Sequence, residues 1–198
     1  MILEKIIAGC GATLIEGNAQ LKISSICNDS RKAVADSLFI AVRGFASDGH
    51  SYIATAIEKG ARAVMCEDLE MTREQIAKAG SNDITIVKVG SSRHALAIAA
   101  ANFYDNPSHK LTLVGITGTN GKTTTVTLLY RMFMALGYNC GLLSTIANYV
   151  GTKGEEAVNT TSDPLTINSL LNEMVKAGCE YCFMEVSSIG VEQDRIAG

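Results

Sequence analysis

The sequence predicts an α/β protein in two parts. The first is a small α/β N-terminal domain over residues 1–107. The second, over residues 108–198, is the first part of a parallel-sheet domain with a phosphate-binding loop. Three observations predict this. Short apolar runs alternate with amphipathic segments that end in glycine, the pattern of strands joined by helices. The helical run SSRHALAIAAANFYDN is broken by Asn106-Pro107-Ser108, where proline and polar neighbours end a helix and mark a boundary. Beyond it, the stretch GITGTNGKTTT (Gly115 to Thr125) lies between an apolar run and a helical one, the setting of a nucleotide loop.

In the first part, ISSICNDSR and SLFIAVRG read as short strands ending in polar turns. SYIATAIEKGA places Ile53, Ala56 and Ile57 at helical spacing, with Gly60 as the stop. ARAVMCE is a strand, MTREQIAKAG a helix closed by Gly80, ITIVKVG a strand, and SSRHALAIAAANFYDN a helix capped by Ser91 or Ser92. In the second part, LTLVGIT reads as a strand apolar enough to be buried on both faces. GTNGK is a glycine loop, and TTTVTLLYRMFMALG a helix closed by Gly137. NCGLLST is a second strand and ANYVGTKGEEAVNTT a polar hairpin. Asp163-Pro164 combines an N-cap with proline at the first helical position, opening a helix that runs to Gly178. CEYCFMEVSS is a third apolar strand.

Composition narrows the function classes. The 198 residues are 47% hydrophobic and 19% charged, with a net charge of −3 and no clustering of Lys and Arg, so no basic field for nucleic acid is expected. The longest apolar stretch, Ala95 to Ala101, is too short to span a bilayer. With Glu4 so early, the N-terminus has no signal-peptide apolar region, and a cytoplasmic location without membrane insertion is expected. Six scattered cysteines suit buried thiols in such a compartment. Cys179-x-x-Cys182 would suit zinc or a redox pair, but no second ligand pair accompanies it, and it reads better as the start of a buried strand.

In parallel sheets, ligands gather at the carboxyl ends of the strands. Three polar clusters fall there: Gly118 to Thr124, Asn159 to Thr161, and Glu185 to Ser188. A phosphate loop needs small residues that let backbone N–H groups converge, a lysine for the phosphates, a hydroxyl for magnesium, and a helix N-terminus behind. Gly118, Gly121, Lys122 and Thr123 supply these, although the common spacing G-x-x-x-x-G-K-[ST] puts Ile116 where glycine is expected, marking a variant loop. Glu185 ends the third strand and suits either a metal-binding acid or a capping or solvated carboxylate. Ser187 and Ser188 suit caps or phosphate and ribose contacts. His50, His94 and His109 are isolated and read as structural, and Asp29-Ser30-Arg31 is a polar turn that also suits an anion.

Together, TGTNGKTTT, NTTSDP and MEVSS followed by Q-x-R resemble the Mur ligases of peptidoglycan synthesis. NDSRKAVADSLFIAVRGFASDGHSYI is similar to the UDP-substrate domain shared by the E and F types of that family, and GTNGKTTT with MEVSS favours the E type. The resemblance implies an ATP- and Mg2+-dependent ligase. It would add a third amino acid, meso-diaminopimelate or L-lysine, to UDP-N-acetylmuramoyl-L-alanyl-D-glutamate through an acyl phosphate. By the same resemblance, Gly118, Thr119, Asn120, Gly121, Lys122, Thr123 and Thr124 bind ATP, with Lys122 catalytic on the phosphates and Thr123 and Glu185 at the metal. Asn159, Thr160, Thr161, Ser187, Gln193 and Arg195 match contacts to the muramoyl peptide. Asn28 and Ser30 match positions at the UDP end, and Phe45, Ala46 and Ser47 the loop that cradles uracil.

Ile189 stands where many members of that family have histidine. The family also continues well beyond this length, into the rest of the central sheet, a carbamoylated lysine and a C-terminal domain that selects the amino acid. The chain is therefore expected to be an N-terminal fragment without turnover of its own. The readings it is weighed against are an F-type ligase adding a dipeptide, a non-catalytic UDP-sugar or nucleotide-binding module, and a generic P-loop NTPase.

Overall fold

The computed structural model describes residues 1–44, 47–157 and 159–198. It divides into two units, Met1–Phe103 and Tyr104–Gly198. The division falls before the Asn106-Pro107 break expected from the sequence. Asp105 and Asn106 both take left-handed backbone conformations, and a 3-10 turn at Pro107–His109 follows. That turn packs on a helix of the second unit, α6 (Pro164–Lys176).

The first unit is built on a five-stranded sheet of order β1-β5-β4-β3-β2. Its strands are β1 (Thr13–Glu16), β2 (Ser25–Cys27), β3 (Ser37–Ile40), β4 (Ala61–Cys66) and β5 (Thr85–Lys88). Strands β2 to β5 run parallel and β1 pairs antiparallel with β5. Strand periodicity explains the core. Phe39, Val64, Cys66, Ile84 and Ile86 pack with Ile53, Ala56 and Ile76 from α2 (Ile53–Glu58) and α3 (Leu69–Lys78). The alternate residues Leu38, Ile40, Ala63, Met65 and Val87 are fully buried, as a strand covered on both faces requires. α1 (Leu3–Ile7) packs on α4 (Ser92–Phe103), and the Ser91 hydroxyl caps α4 by accepting from His94 N at 3.3 Å. Neither α1 nor β1 was expected from the sequence: α1 spans five residues, and in β1 only one residue of four is even partly buried.

The second unit carries a sheet of order β6-β10-β7-β8-β9. Its parallel part is β6 (Thr112–Ile116), β10 (Tyr181–Glu185) and β7 (Cys140–Leu143). The expected polar excursion is a hairpin, β8 (Ala147–Val150) and β9 (Lys153–Glu156), which extends this sheet antiparallel. α5 (Lys122–Ala135) packs Val126, Leu129, Tyr130 and Phe133 on one face, against Cys140, Leu142 and Phe183. α6 packs Ile167, Leu170, Leu171 and Met174 on the other, against Leu143, Cys182 and Met184. Asp163 holds the start of α6 by accepting from Leu165 N, Thr166 N and the Thr166 hydroxyl.

One expectation is corrected. β6 is not buried on both faces: Leu113, Val114 and Ile116 are only partly buried and Gly115 is exposed. The reason is position, because β6 is the edge of the described sheet and pairs on one side only, with β10.

Candidate functional site

The parallel register of β6, β10 and β7 brings three chain segments together at their carboxyl ends. β6 runs into Thr117–Gly121 and then α5. β7 runs into Ser144 and Thr145. β10 ends on Glu185 and continues through Val186 and Ser187 into a short helix, α7 (Ser188–Glu192).

The first segment has the geometry of an anion loop. Gly118 has φ 149° and Gly121 φ 81°, both in the region that disfavours a Cβ. Gly121 is the N-cap of α5 and no side chain caps that end. The first backbone bond back into the helix comes from Thr125 N to Gly121 O, so the N–H groups of Lys122, Thr123 and Thr124 have no partner within the helix. These donors and the positive end of the helix dipole favour an anion there. The Lys122 ammonium folds back to donate to Gly118 O at 2.7 Å.

Glu185 faces this loop. It is 1% exposed, and its carboxylate is held by neutral donors. Thr123 Oγ1 donates to Oε2 at 3.0 Å and Thr145 N to Oε1 at 2.8 Å, while Thr145 Oγ1 lies 3.2 Å from each oxygen. Among the described residues no Lys, Arg or His pairs with it. A buried carboxylate without a counter-cation is costly, so this donor set suits a divalent cation beside it. Each carboxylate oxygen has two lone-pair positions, and the bonds from Thr123 and Thr145 leave room for a metal or its water. The Thr123 hydroxyl can ligate through oxygen while still donating its proton to Glu185.

The Asn159–Thr161 segment joins the same site. The Thr161 hydroxyl donates to Glu185 O at 3.1 Å and accepts from Ser187 N at 2.9 Å, tying the segment to the end of β10. The Arg195 guanidinium donates to Thr161 O and to Gln193 Oε1, the latter at 2.8 and 3.1 Å. Thr161, Ser187, Gln193 and Arg195 therefore form one linked set. The Ser187 hydroxyl accepts from Gly190 N, so it is the cap of α7. Thr160 Oγ1 lies 3.2 Å from Thr145 Oγ1, while Thr119, Asn120, Thr124 and Asn159 are exposed.

In the first unit, Asn28 follows β2 and is exposed, and Ser30 is buried in a one-turn 3-10 helix. That helix is opened by Asp29, which accepts from Arg31 N and pairs with the Arg31 side chain. Ser47 is exposed on the turn after β3, which closes through Gly44 N to Ser47 O at 3.0 Å. Because β2 and β3 are parallel neighbours, both turns leave the same end of the sheet. Phe45 and Ala46 lie outside the described residues.

The expectation that His50 is structural is met in detail. It is fully buried, and its Nε2 accepts from Glu67 N and Asp68 N, so Nδ1 carries the proton and donates to Asp48 at 2.5 Å. Arg43 bridges to Asp48 and Asp68 as well. The cysteines are free and buried, burial pushes the Cys182 thiol up, and no metal-binding group involving Cys179 and Cys182 exists among the described residues.

Sequence reasoning missed Thr145. The signal was present, since Ser144-Thr145 ends the apolar run NCGLL as the other polar clusters end theirs.

Comparison with known proteins puts a family to this arrangement. The model of the Mur ligase family, catalytic domain, matches residues 22–104, and that of the Mur ligase middle domain matches residues 116–198. The UDP-N-acetylmuramoyl-L-alanyl-D-glutamate–2,6-diaminopimelate ligase of Cytophaga hutchinsonii is 54% identical over 184 residues, 93% of this chain and 37% of that protein. A solved structure of a ligase of the same name superposes with a TM-score of 0.77 at 22% identity, over all of this chain and 38% of that one. The MurF ligase of Thermotoga maritima, solved in complex with ADP, superposes with a TM-score of 0.53 at 26% identity, over 83% of this chain and 32% of that one. The chain thus spans about two fifths of the length of the proteins it matches. No described helix is long and apolar enough to cross a membrane. With its two units matching successive domains of one family, the chain belongs to the Mur ligases.

Proposed function

We propose that the chain is the UDP-substrate domain and the first part of the ATP-binding domain of a cytoplasmic, ATP-dependent amide ligase. The whole enzyme would extend UDP-N-acetylmuramoyl-L-alanyl-D-glutamate by a diamino acid. The name of the Cytophaga hutchinsonii relative favours 2,6-diaminopimelate over lysine. The observation that carries the reading is the pairing of Thr123 with the buried Glu185, which no Lys, Arg or His among the described residues pairs with, beside the uncapped start of α5.

The chemistry is the one that membership of the family implies, and the site's groups suit it. The terminal carboxylate of the muramoyl dipeptide attacks the γ-phosphorus of ATP, and ADP leaves. The amine then attacks the acyl phosphate, and phosphate leaves as the amide forms. Charge on the transferring phosphoryl group is the main obstacle, and preorganised donors are the main remedy. The backbone N–H groups from Gly118 to Thr124 cradle the phosphates, and the Lys122 ammonium moves from Gly118 O to the β and γ oxygens. Thr123 and Glu185 would hold Mg2+, which supplies charge neutralisation across the phosphates. Asn159, Thr160, Thr161, Ser187, Gln193 and Arg195 orient the muramoyl peptide, with the Arg195 cation suited to its carboxylates. Asn28, Ser30 and Ser47 serve the UDP end.

The test is amino-acid-dependent phosphate release by the full-length protein given UDP-muramoyl-dipeptide, ATP and 2,6-diaminopimelate. Lys122→Ala should abolish the release. Release driven by D-alanyl-D-alanine on a tripeptide substrate would instead assign the F type, and release that survives Lys122→Ala would refute the phosphate-loop reading.

A further inference from the structure

The Thr145 hydroxyl lies 3.2 Å from Glu185 Oε1, 3.2 Å from Glu185 Oε2 and 3.2 Å from Thr160 Oγ1. A hydroxyl has one proton to give and two lone pairs to accept with. The ionised carboxylate is the stronger acceptor, so the Thr145 proton goes to Glu185 and the Thr160 hydroxyl donates to Thr145. The result is a directed chain from Thr160 through Thr145 to Glu185, with Thr123 donating to Oε2 of the same carboxylate. Thr145 also donates its backbone N–H to Oε1 at 2.8 Å, so one residue supplies two of the donors that fix the carboxylate plane.

We propose that Thr145 is a positioning residue. It sets the orientation of Glu185 for a divalent cation and ties that orientation to the Asn159–Thr161 segment. This rests on the reading of Thr123 and Glu185 as metal-holding groups. The physical case is that a buried carboxylate on a flexible stem can rotate about its last torsion, which is broad. Thr123 donates to Oε2 and Thr145 N to Oε1, and the Thr145 hydroxyl, 3.2 Å from both oxygens, bridges the two edges of the carboxylate. Outer-shell partners of this kind tune metal affinity without touching the metal. Because the same hydroxyl accepts from Thr160, a ligand that draws the Thr160 hydroxyl away changes the polarisation of the bond on Glu185. The muramoyl-peptide segment and the metal-bearing acid are thereby coupled through one oxygen atom.

The test uses Thr145→Val and Thr145→Ser in the full-length protein. Valine keeps the shape and the backbone N–H but deletes the hydroxyl, and serine keeps the hydroxyl. Mn2+ binding to the protein–ADP complex is read by electron paramagnetic resonance, and ADP binding without metal by calorimetry. Thr145→Val should weaken Mn2+ binding about 10- to 100-fold, the range for loss of an outer-shell partner. Metal-free ADP binding should stay at the wild-type level, and Thr145→Ser should bind Mn2+ within a few fold of wild type. Wild-type Mn2+ affinity in Thr145→Val overturns the positioning role alone. Equal loss in Thr145→Ser also overturns it, since the methyl rather than the hydroxyl would then matter. Absence of Mn2+ binding by the wild-type protein overturns the metal reading beneath it.

Discussion

Replacing Glu185 by glutamine or by alanine separates the structural from the functional demand on this carboxylate. It is 1% exposed and accepts from the Thr123 hydroxyl, from Thr145 N and from the Thr145 hydroxyl. Hydrogen bonds to a charged group contribute about 1.5–3 kcal/mol each, so these three give roughly 4.5–9 kcal/mol. Burying the charge costs several kcal/mol, which offsets most of that gain. Glutamine keeps Oε1 on Thr145 N and places its amide against the Thr123 hydroxyl, which turns to accept. The charge and its desolvation cost are gone, so Glu185→Gln should leave stability within about 1 kcal/mol of wild type. Alanine leaves the fixed Thr145 N–H without its acceptor, at about 1–3 kcal/mol, while the Thr123 and Thr145 hydroxyls are free to rotate to other partners. Urea unfolding, followed by circular dichroism, should therefore place Glu185→Ala about 1–3 kcal/mol below Glu185→Gln, while both lose metal-dependent nucleotide binding. Equal stability of the two variants within about 0.5 kcal/mol would refute the account of how the carboxylate is held.

Two further outcomes rest on other contacts. Asp163→Ala removes the acceptor for Leu165 N, Thr166 N and the Thr166 hydroxyl, and should cost about 1–2 kcal/mol in the same titration, with Asp163→Ser restoring most of it. The bonds from Arg31 hold the Asp29 carboxyl at about 2, below its ordinary value near 4. A depressed folded-state value gives stability that is full above the unfolded value and is lost as pH falls through the folded one. Asp29→Asn should therefore lower stability at neutral pH and flatten the acid limb of the curve between about pH 4 and pH 2, so that variant and wild type converge at the acid end. An acid limb of unchanged slope would show that the Arg31 pairing does not persist in solution.

Much of the fold was legible because its signals are local. Asp163-Pro164, the glycine stops and the alternating apolar runs each act within one or two turns of chain, and the structure places a helix or strand at each. The missed elements are those whose local signal is absent or too short to stand out. β1 becomes a strand only because β5 offers an open antiparallel edge, and α7 is one and a half turns set by the Ser187 cap. The loop Gly118–Thr124 was legible as a glycine turn opening a helix for the same reason as the helices, since its glycines, lysine and threonine are contiguous. The failure at Ile116 is also explained: it is the last residue of β6, paired with Glu185, so the strand continues where the common template would already turn.

The sequence by itself determined the two α/β units, the loop Gly118–Thr124 and the residue types gathered at the strand ends, because each depends on neighbours in the chain. Only the tertiary structure decided that β10 lies between β6 and β7, and hence that Glu185 is buried beside Thr123. It also decided that Thr145 reaches that carboxylate across 40 positions of sequence. Strand order is a contest among non-local pairings, and no short stretch of sequence records which one wins. The site depends on that result, since a carboxylate in the wrong strand would face neither the loop nor the threonine that orients it.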